Sequence, residues 1–272
     1  MEDITPIFLI NYFKSFRYLQ PSTIKRIKSV LSAIMQSALE LNIISYNPCR
    51  NMVLKNDKNQ HINKNINVKY FSKKTYLQVL NLLKFEPIKY RTIIEFSLKT
   101  GLRKSEVFGL TWYDLDTKEN IITINKSRNY LNKYGMIIKE TKNNSSNRRI
   151  YISKKIVALL LSYKREKELD KMHKIKADEF IFDDINFNTI TLWFKNWQKK
   201  NSINPIITFH DLRHTHATLL LAQGIDAKTI SSRLGHSSIT TTLNIYAHVL
   251  KDLDKKAVQK IEELEYKKTE TN

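Results

Sequence analysis

The sequence predicts a mainly α-helical protein carrying a small antiparallel β-sheet, an α+β chain with a helical domain ahead of a larger one. Three observations carry this. Glycine and proline number only 5 each in 272 residues, well below ordinary usage, so helix breakers are scarce. Apolar residues recur at intervals of three and four along most of the chain. Only three short stretches, all between residues 121 and 152, read as β.

Taken in order, Thr5-Pro6 and Gln20-Pro21-Ser22-Thr23 each mark a helix start, since proline is tolerated in a first turn. The second opens the longest early helix. Ile24, Ile27, Val30, Leu31, Ile34, Met35, Ala38 and Leu41 form one apolar stripe, and Lys25, Arg26 and Lys28 fall outside it. The helix ends before Asn47-Pro48. Residues 51–67 (NMVLKNDKNQHINKNIN) lose periodicity and turn Asn- and Lys-rich, as a linker does. The predicted division is a helical domain at 1–55, a linker at 56–68 and a second domain at 69–272. In that domain helical runs begin near Ser72 and cover Tyr90–Lys99. The β segments are Ile121–Asn125, Tyr130–Lys139 and Arg148–Ile152, with Lys142 and the polar turn Asn143–Asn147 as a hairpin tip. After Ser153 the pattern is helical again, apart from a short apolar run at Phe180–Phe182. Residues 249–266 read as a final amphipathic helix with Leu250, Leu253, Ala257, Ile261 and Leu264.

The chain holds 46 basic and 26 acidic side chains, a net charge of +20. Residues 1–65 contain nine basic and four acidic groups, so most of the excess lies beyond them and is not a tail. Spread positive charge suits a surface that wraps a polyanion, and nucleic acid is the commonest such partner. The plainer alternative is charge kept for solubility. A hydrophobic content of 42% excludes a disordered chain. The single cysteine, Cys49, excludes an internal disulfide and any cysteine-rich zinc module. No apolar run approaches the roughly 18 residues that span a bilayer, and MEDITPIFLINYF lacks a signal-peptide cleavage site. No membrane partner is expected, and a cytoplasmic, nucleoid-associated place in a bacterial cell is.

Four islands of unusual residues punctuate the second domain. Thr100-Gly101-Leu102-Arg103-Lys104-Ser105-Glu106 breaks one helix at Gly101 and sets Arg103 near the start of the next, where anions are favoured. Alone, it reads as an ordinary capped surface arginine. Lys142 follows at the hairpin tip, with Ser146 and Arg148 after it. His210-Asp211-Leu212-Arg213-His214-Thr215-His216 lies on a helix capped by Thr208, so His210 and Arg213 share a face. Burying imidazole beside guanidinium is costly unless an anion lies between them. Three histidines in seven residues also suggest a metal, but no carboxylate or cysteine set completes a ligand group at the usual spacing. The fourth island is Leu234-Gly235-His236, followed ten residues after the histidine by Tyr246. Alone, that tyrosine reads as a core aromatic.

In order and spacing these islands resemble the tyrosine recombinase (phage integrase) family, over nearly the whole chain. TGLRKSE resembles its first-arginine motif, and KNNSSNR its Lys-x-x-x-Ser-x-Arg pattern, with Asn143 where threonine is common. HDLRHTHAT resembles its His-x-x-Arg motif, and LGH with SSITTTLNIY its final histidine and nucleophilic tyrosine. ITPIFLINYFKSF, PSTIKRIKSVLSAIMQSAL and YNPC resemble the last part of its helical core-binding domain. Family members usually carry further helices before this point, so 1–55 is expected to be a partial core-binding domain.

The resemblance implies a site-specific DNA recombinase or integrase that cuts and rejoins DNA through a 3′-phosphotyrosyl intermediate, without metal or other cofactor. It implies Tyr246 as nucleophile, Arg103 and Arg213 on the non-bridging phosphate oxygens, and His210 as proton acceptor. Lys142 would protonate the leaving 5′-oxygen, His236 would hold the phosphate or Tyr246, and Glu106 would buttress the site. His214 and His216 are expected to be structural, and Asp211 to orient its helix. Lys25, Arg26, Lys28 and Arg148 are expected on DNA, the two domains forming halves of a clamp. The implied partners are double-stranded DNA at attachment sites, further copies in a homo-tetramer joined through the C-terminal helix, and an accessory DNA-bending or directionality factor. Two other readings use the same residues. Against a type IB topoisomerase stand the LGH motif and the short front domain, and against a truncated non-catalytic DNA-binding remnant stands the intact set of catalytic side chains.

Overall fold

The computed structural model describes residues 4–16, 18–50, 52, 68–131, 134–140 and 147–246, with positions 258 and 262, both helical. The chain divides into two compact units, Met1–Asn65 and Ile66–Asn272.

In the first unit Thr5 caps α1 (Pro6–Lys14) by accepting the Phe8 N–H, and α2 (Pro21–Glu40) opens at its proline. Leu9 and Phe13 of α1 close on Met35, Cys49 and Met52, with Ile24, Ile27 and Leu31 around them. The apolar stripe of α2 is therefore divided. Val30, Ile34 and Leu41 stay exposed, because the described residues of so small a unit offer a single helix to cover a longer one. Lys25 and Arg26 face solvent. Lys28 instead donates its ammonium to the Met52 carbonyl and pins that loop. Lys25, Lys28 and Arg50 border an open groove of about 660 Å3 shared with Ser29, Ser32 and Gln36. The predicted linker at 56–68 falls outside the described residues except at Val68, as does the helix expected at 249–266 except at positions 258 and 262.

The second unit is built around α4 (Ile88–Thr100), buried from Thr92 to Leu98 and packed between α6 (Lys154–Lys171) and α8 (Asp211–Ala222). A helix covered all round must satisfy its polar groups internally. Ser97 and Thr100 accordingly return their hydroxyls to the carbonyls of Ile93 and Phe96, and Glu95 pairs with Arg91 and Lys99. α3 (Lys73–Leu82), capped by Ser72, precedes it, and α5 (Lys104–Gly109) follows at once. α7 (Thr189–Lys200), α9 (Ala227–Leu234) and α10 (Ile239–Ile245) complete the described helices. The buried ammonium of Lys167 on α6 donates to the Ile181 carbonyl and pairs with Asp183, which fixes the Phe180–Phe182 run against Thr111. No helix among the described residues is long and apolar enough to cross a membrane.

β2 (Ile121–Ile124) lies between β1 (Leu115–Asp116) and β5 (Arg148–Tyr151), antiparallel to both, with Ile122 opposite Ile150 and Ile124 opposite Arg148. A separate antiparallel pair joins β3 (Lys126–Leu131) to β4 (Gly135–Glu140). This corrects the expectation of a single strand over Tyr130–Lys139 and a hairpin tipped by Lys142. The described hairpin turns between Leu131 and Gly135, and β4 and β5 belong to different sheets. The polar run Lys126-Ser127-Arg128-Asn129 concealed β3, because its side chains are all half-buried and do not alternate. Lys142 lies outside the described residues.

Candidate active site

Chain turns set up the site. α4 ends at Gly101 with φ +68°. Any residue with a Cβ would be strained in that conformation, and here the Cβ would also stand 2.6 Å from His216 and 2.8 Å from Leu234. The turn delivers Arg103 as the N-cap of α5. Glu106 accepts the Arg103 backbone N–H at 2.8 Å and its Nη1 at 2.9 Å, so one carboxylate both caps the helix and fixes the guanidinium. Arg148, arriving on β5, gives Nη1 and Nη2 to the same carboxylate at 3.1 and 3.0 Å and Nε to the Arg233 carbonyl at 2.8 Å. At the end of α9 the Gly235 carbonyl accepts Arg103 Nη2 at 3.1 Å. Arg213, in the first turn of α8, gives Nη1 to the Gly101 carbonyl at 3.0 Å.

Three guanidiniums thus gather about one carboxylate. Burial opposes ionisation of Glu106, yet Arg148 and Arg103 outweigh it and hold the carboxyl below its usual range. Arg213 is 3% exposed. Burial first, and Arg103 next, push its pKa down to about 9, which still leaves it charged at neutral pH. Its Nη2 has no hydrogen-bond partner among the described residues. A buried guanidinium with one arm idle, beside two others, makes a site short of negative charge.

Tyr246 closes α10 with 0% exposure, packed among Ala217, Leu221, Ile230 and Leu234. Its Oη lies 2.9 Å from His214 Nδ1. The ring at the phenol is therefore His214 and not His210. His210 precedes the first turn of α8, is exposed, and stands edge-on to His214 with ring centres 5.1 Å apart. One turn further along, His214 is the imidazole that reaches inward. Burial raises the Tyr246 phenol above its usual range, with Arg213 opposing.

Burial, with His210 and Arg213 adding to it and Asp211 opposing, pushes His214 down to about 4. His236 shares a 2.7 Å hydrogen bond between Nδ1 and Thr242 Oγ1 and is likewise lowered to about 4, by burial and then by Arg213 and Arg103. His216 Nε2 accepts Arg233 Nε–H at 3.2 Å, so its proton sits on Nδ1 and goes to the Leu98 carbonyl at 2.9 Å. These three imidazoles are neutral at pH 7.

Of the residues read from the sequence, Arg103, Glu106, Arg148, His210, Arg213, His236 and Tyr246 gather here, while Lys25, Arg26 and Lys28 belong to the first unit. Arg148 departs from its reading as a DNA contact. Its side chain is 8% exposed and spent on Glu106, because a carboxylate as buried as Glu106 is not balanced by the half-exposed Arg103 alone. Sequence reasoning missed His214 as a partner of the phenol, and it missed Arg233. The signal for His214 was available, since positions 210, 213 and 214 share one helical face. Among the described residues no three His, Cys, Asp or Glu side chains converge as a metal site would require.

The phage integrase family model matches residues 69–252. The ICEBs1 integrase of Bacillus subtilis is 28% identical over 253 residues, covering 90% of this chain and 67% of the relative. A XerC-like tyrosine recombinase of Caldanaerobacter subterraneus is 27% identical over 265 residues, covering 89% and 66%. The chain thus spans about two thirds of the length of these relatives. Among solved structures, the Tn1549 transposon integrase in complex with transposon right-end DNA superposes with a TM-score of 0.73 at 22% identity, over 96% of this chain and 87% of that one.

Proposed function

The chain belongs to the phage integrase family, and from that membership we propose that it is a tyrosine-type site-specific recombinase. It cuts and rejoins double-stranded DNA through a 3′-phosphotyrosyl link, to integrate or excise a mobile element. The observation that carries this reading is the buried Arg213, its Nη2 without a partner among the described residues, with Tyr246 and Arg103 within reach of its charge.

A phosphodiester seated there supplies the missing negative charge. Its non-bridging oxygens gain charge as the tyrosine attacks, so guanidiniums already held by the protein favour the transition state over the ground state. Arg103 and Arg213 carry that role, with Glu106 and Arg148 holding Arg103 in register. His236 and the exposed His210 offer further donors to the phosphate. Tyr246 Oη attacks phosphorus and the 5′-oxygen leaves with a proton from Lys142. The bond energy is kept in the phosphotyrosyl link, so a second strand's 5′-hydroxyl reverses the step without cofactor.

On the same reading the groove beside Lys25, Lys28 and Arg50 contributes phosphate contacts, which position DNA without reading it. The likeness to an integrase held on DNA supports double-stranded DNA as the partner. A tetramer joined through the C-terminal helix, an accessory DNA-bending factor and residence at the nucleoid complete the proposal. A topoisomerase or a non-catalytic remnant is less well supported, since the relatives are integrases and recombinases.

The test uses a pool of nicked duplexes with a randomised core, in which a cut beside the nick releases a short strand and traps the protein. Recovered adducts carry protein on a 3′ phosphate, and sequencing them gives a cleavable duplex. Tyr246→Phe should form no adduct while binding DNA as the parent does. An adduct in the Phe variant overturns Tyr246 as nucleophile, and no adduct from the parent overturns the activity.

A further inference from the structure

We propose that His214, through Nδ1, takes the phenolic proton of Tyr246 as Oη attacks phosphorus, and returns it when the strands are rejoined. This rests on the recombinase reading above and adds to it a residue that the sequence suggested was structural.

The geometry is direct. Oη has one hydrogen bond among the described residues, 2.9 Å to His214 Nδ1, and the two rings meet at 61°. A group that is to receive a proton must stand at hydrogen-bond distance from it, and geometry comes before basicity. Tyr246 is fully buried, so bulk water does not compete for the role. His210, the other imidazole on this face, makes no hydrogen bond to Tyr246 among the described residues and stands behind His214.

The charged and titratable groups facing His214 are His210, Asp211 and Arg213 on its own helix, Tyr246 beyond α10, and His236 beyond α9. Burial and these cations keep the ring neutral, so an acceptor nitrogen is present at every pH above about 4. With its proton on Nε2, Nδ1 accepts the phenol O–H. So weak a base does not strip a resting phenol. It accepts the proton only as the forming Oη–P bond makes the phenol oxygen acidic, which ties proton transfer to attack.

The step balances. The Oη–H bond breaks, its electron pair stays on oxygen, and an Oη lone pair forms the bond to phosphorus. The proton goes to Nδ1 and makes an imidazolium. The P–O5′ bond breaks with its pair on O5′, which is protonated by Lys142. In rejoining, the imidazolium protonates the departing Oη.

The full-length protein and the duplex recovered by the nicked-pool selection provide the test. His214→Ala should bind that duplex as the parent does but form adduct on the order of a hundredfold more slowly at saturating DNA. Its rate should rise about tenfold per pH unit from 7 to 9, because hydroxide must now take the proton, while the parent stays flat. His214→Asn keeps an acceptor oxygen near the Nδ1 position but no basic nitrogen, so it should stay within severalfold of His214→Ala and show the same rise with pH. Placing difluorotyrosine at 246, a more acidic phenol, should help His214→Ala far more than the parent.

Among the rate measurements, four results overturn the proposal: an unchanged rate in His214→Ala, a faster one (the contact would then be a brake), a pH profile parallel to the parent's, or equal effects of fluorination in both backgrounds. Absence of any adduct from the parent instead removes the recombinase reading, and the proposal with it. Loss of DNA binding in both His214 variants would assign the ring to folding, which also overturns it.

Discussion

Glu106→Gln removes one negative charge from the site and keeps the shape of the side chain. In the parent the carboxylate takes two hydrogen bonds from Arg148, whose side chain is 8% exposed, and one from the side chain of Arg103, which is 37% exposed. A charged pair exceeds a charged-to-neutral bond by about 1 kcal/mol, so the buried Arg148 bonds account for about 2 kcal/mol. The Arg103 bond, open to solvent, adds a few tenths. Glutamine also presents an amide N–H where one oxygen received a donor, and that mismatch costs about 1 kcal/mol more. The expected loss is about 3 kcal/mol, the lower end of what breaking a buried pair costs. For a unit of about 200 residues this lowers Tm by roughly 6–12 °C. All three tryptophans, Trp112, Trp193 and Trp197, lie in this unit, so their fluorescence follows its unfolding alone. Folding lowers the Glu106 pKa, so its contribution is complete above the unfolded value of about 4.3 and fades as pH falls through the folded one. The gap between parent and variant therefore narrows below about pH 4. A loss under 1 kcal/mol at pH 7, or a gap that widens in acid, refutes this account of the site.

Further outcomes follow from the same geometry. Gly101→Ala forces a Cβ into left-handed backbone and against His216 and Leu234. It should cost more than about 2 kcal/mol in urea unfolding and slow adduct formation, and a neutral effect would show that the turn is not strained. Arg213→Lys keeps the charge but not the fork, so adduct formation should fall about a hundredfold or more with DNA affinity little changed, and full activity would mean that only charge matters there. With six to ten phosphates contacted, DNA affinity should drop roughly 10³–10⁵-fold between 50 and 200 mM salt. A flat titration would set aside backbone contacts as the source of binding.

The legible parts of the sequence were those in which one physical signal acts alone. Prolines in first turns marked α1 and α2, Ser72 marked α3, and Gly101 marked a helix end that no other residue type accommodates easily. The gathering of Arg103, Arg213, His236 and Tyr246 was readable because motif order stood in for tertiary distance. What escaped needed neighbours to be known. β3 is polar on both faces, so its pairing with β4 left no alternation to read. Arg148 looked like a surface cation until the burial of Glu106 showed that it was needed indoors. His210 and His214 carry the same chemistry four residues apart, and only the path of α10 decides which one meets the phenol. The stripe on α2 was visible, but which half of it would be covered depended on where α1 came to rest.

Beside the Glu106 carboxylate, each arginine of the site has an anchor on main chain: Gly101 O holds Arg213, Gly235 O holds Arg103 and Arg233 O holds Arg148. All three carbonyls stand at the C-terminal ends of α4 and α9, where a helix carries partial negative charge. The cations are thus partly compensated by backbone dipoles that no side-chain substitution can delete. Sequence drift around the site can alter packing and stability while the guanidiniums keep their bearings, as long as both helices still end where they do. Their aim is therefore a property of two helix lengths. Inserting or deleting a single residue in α4 or α9 should misdirect the site more severely than most point changes beside it.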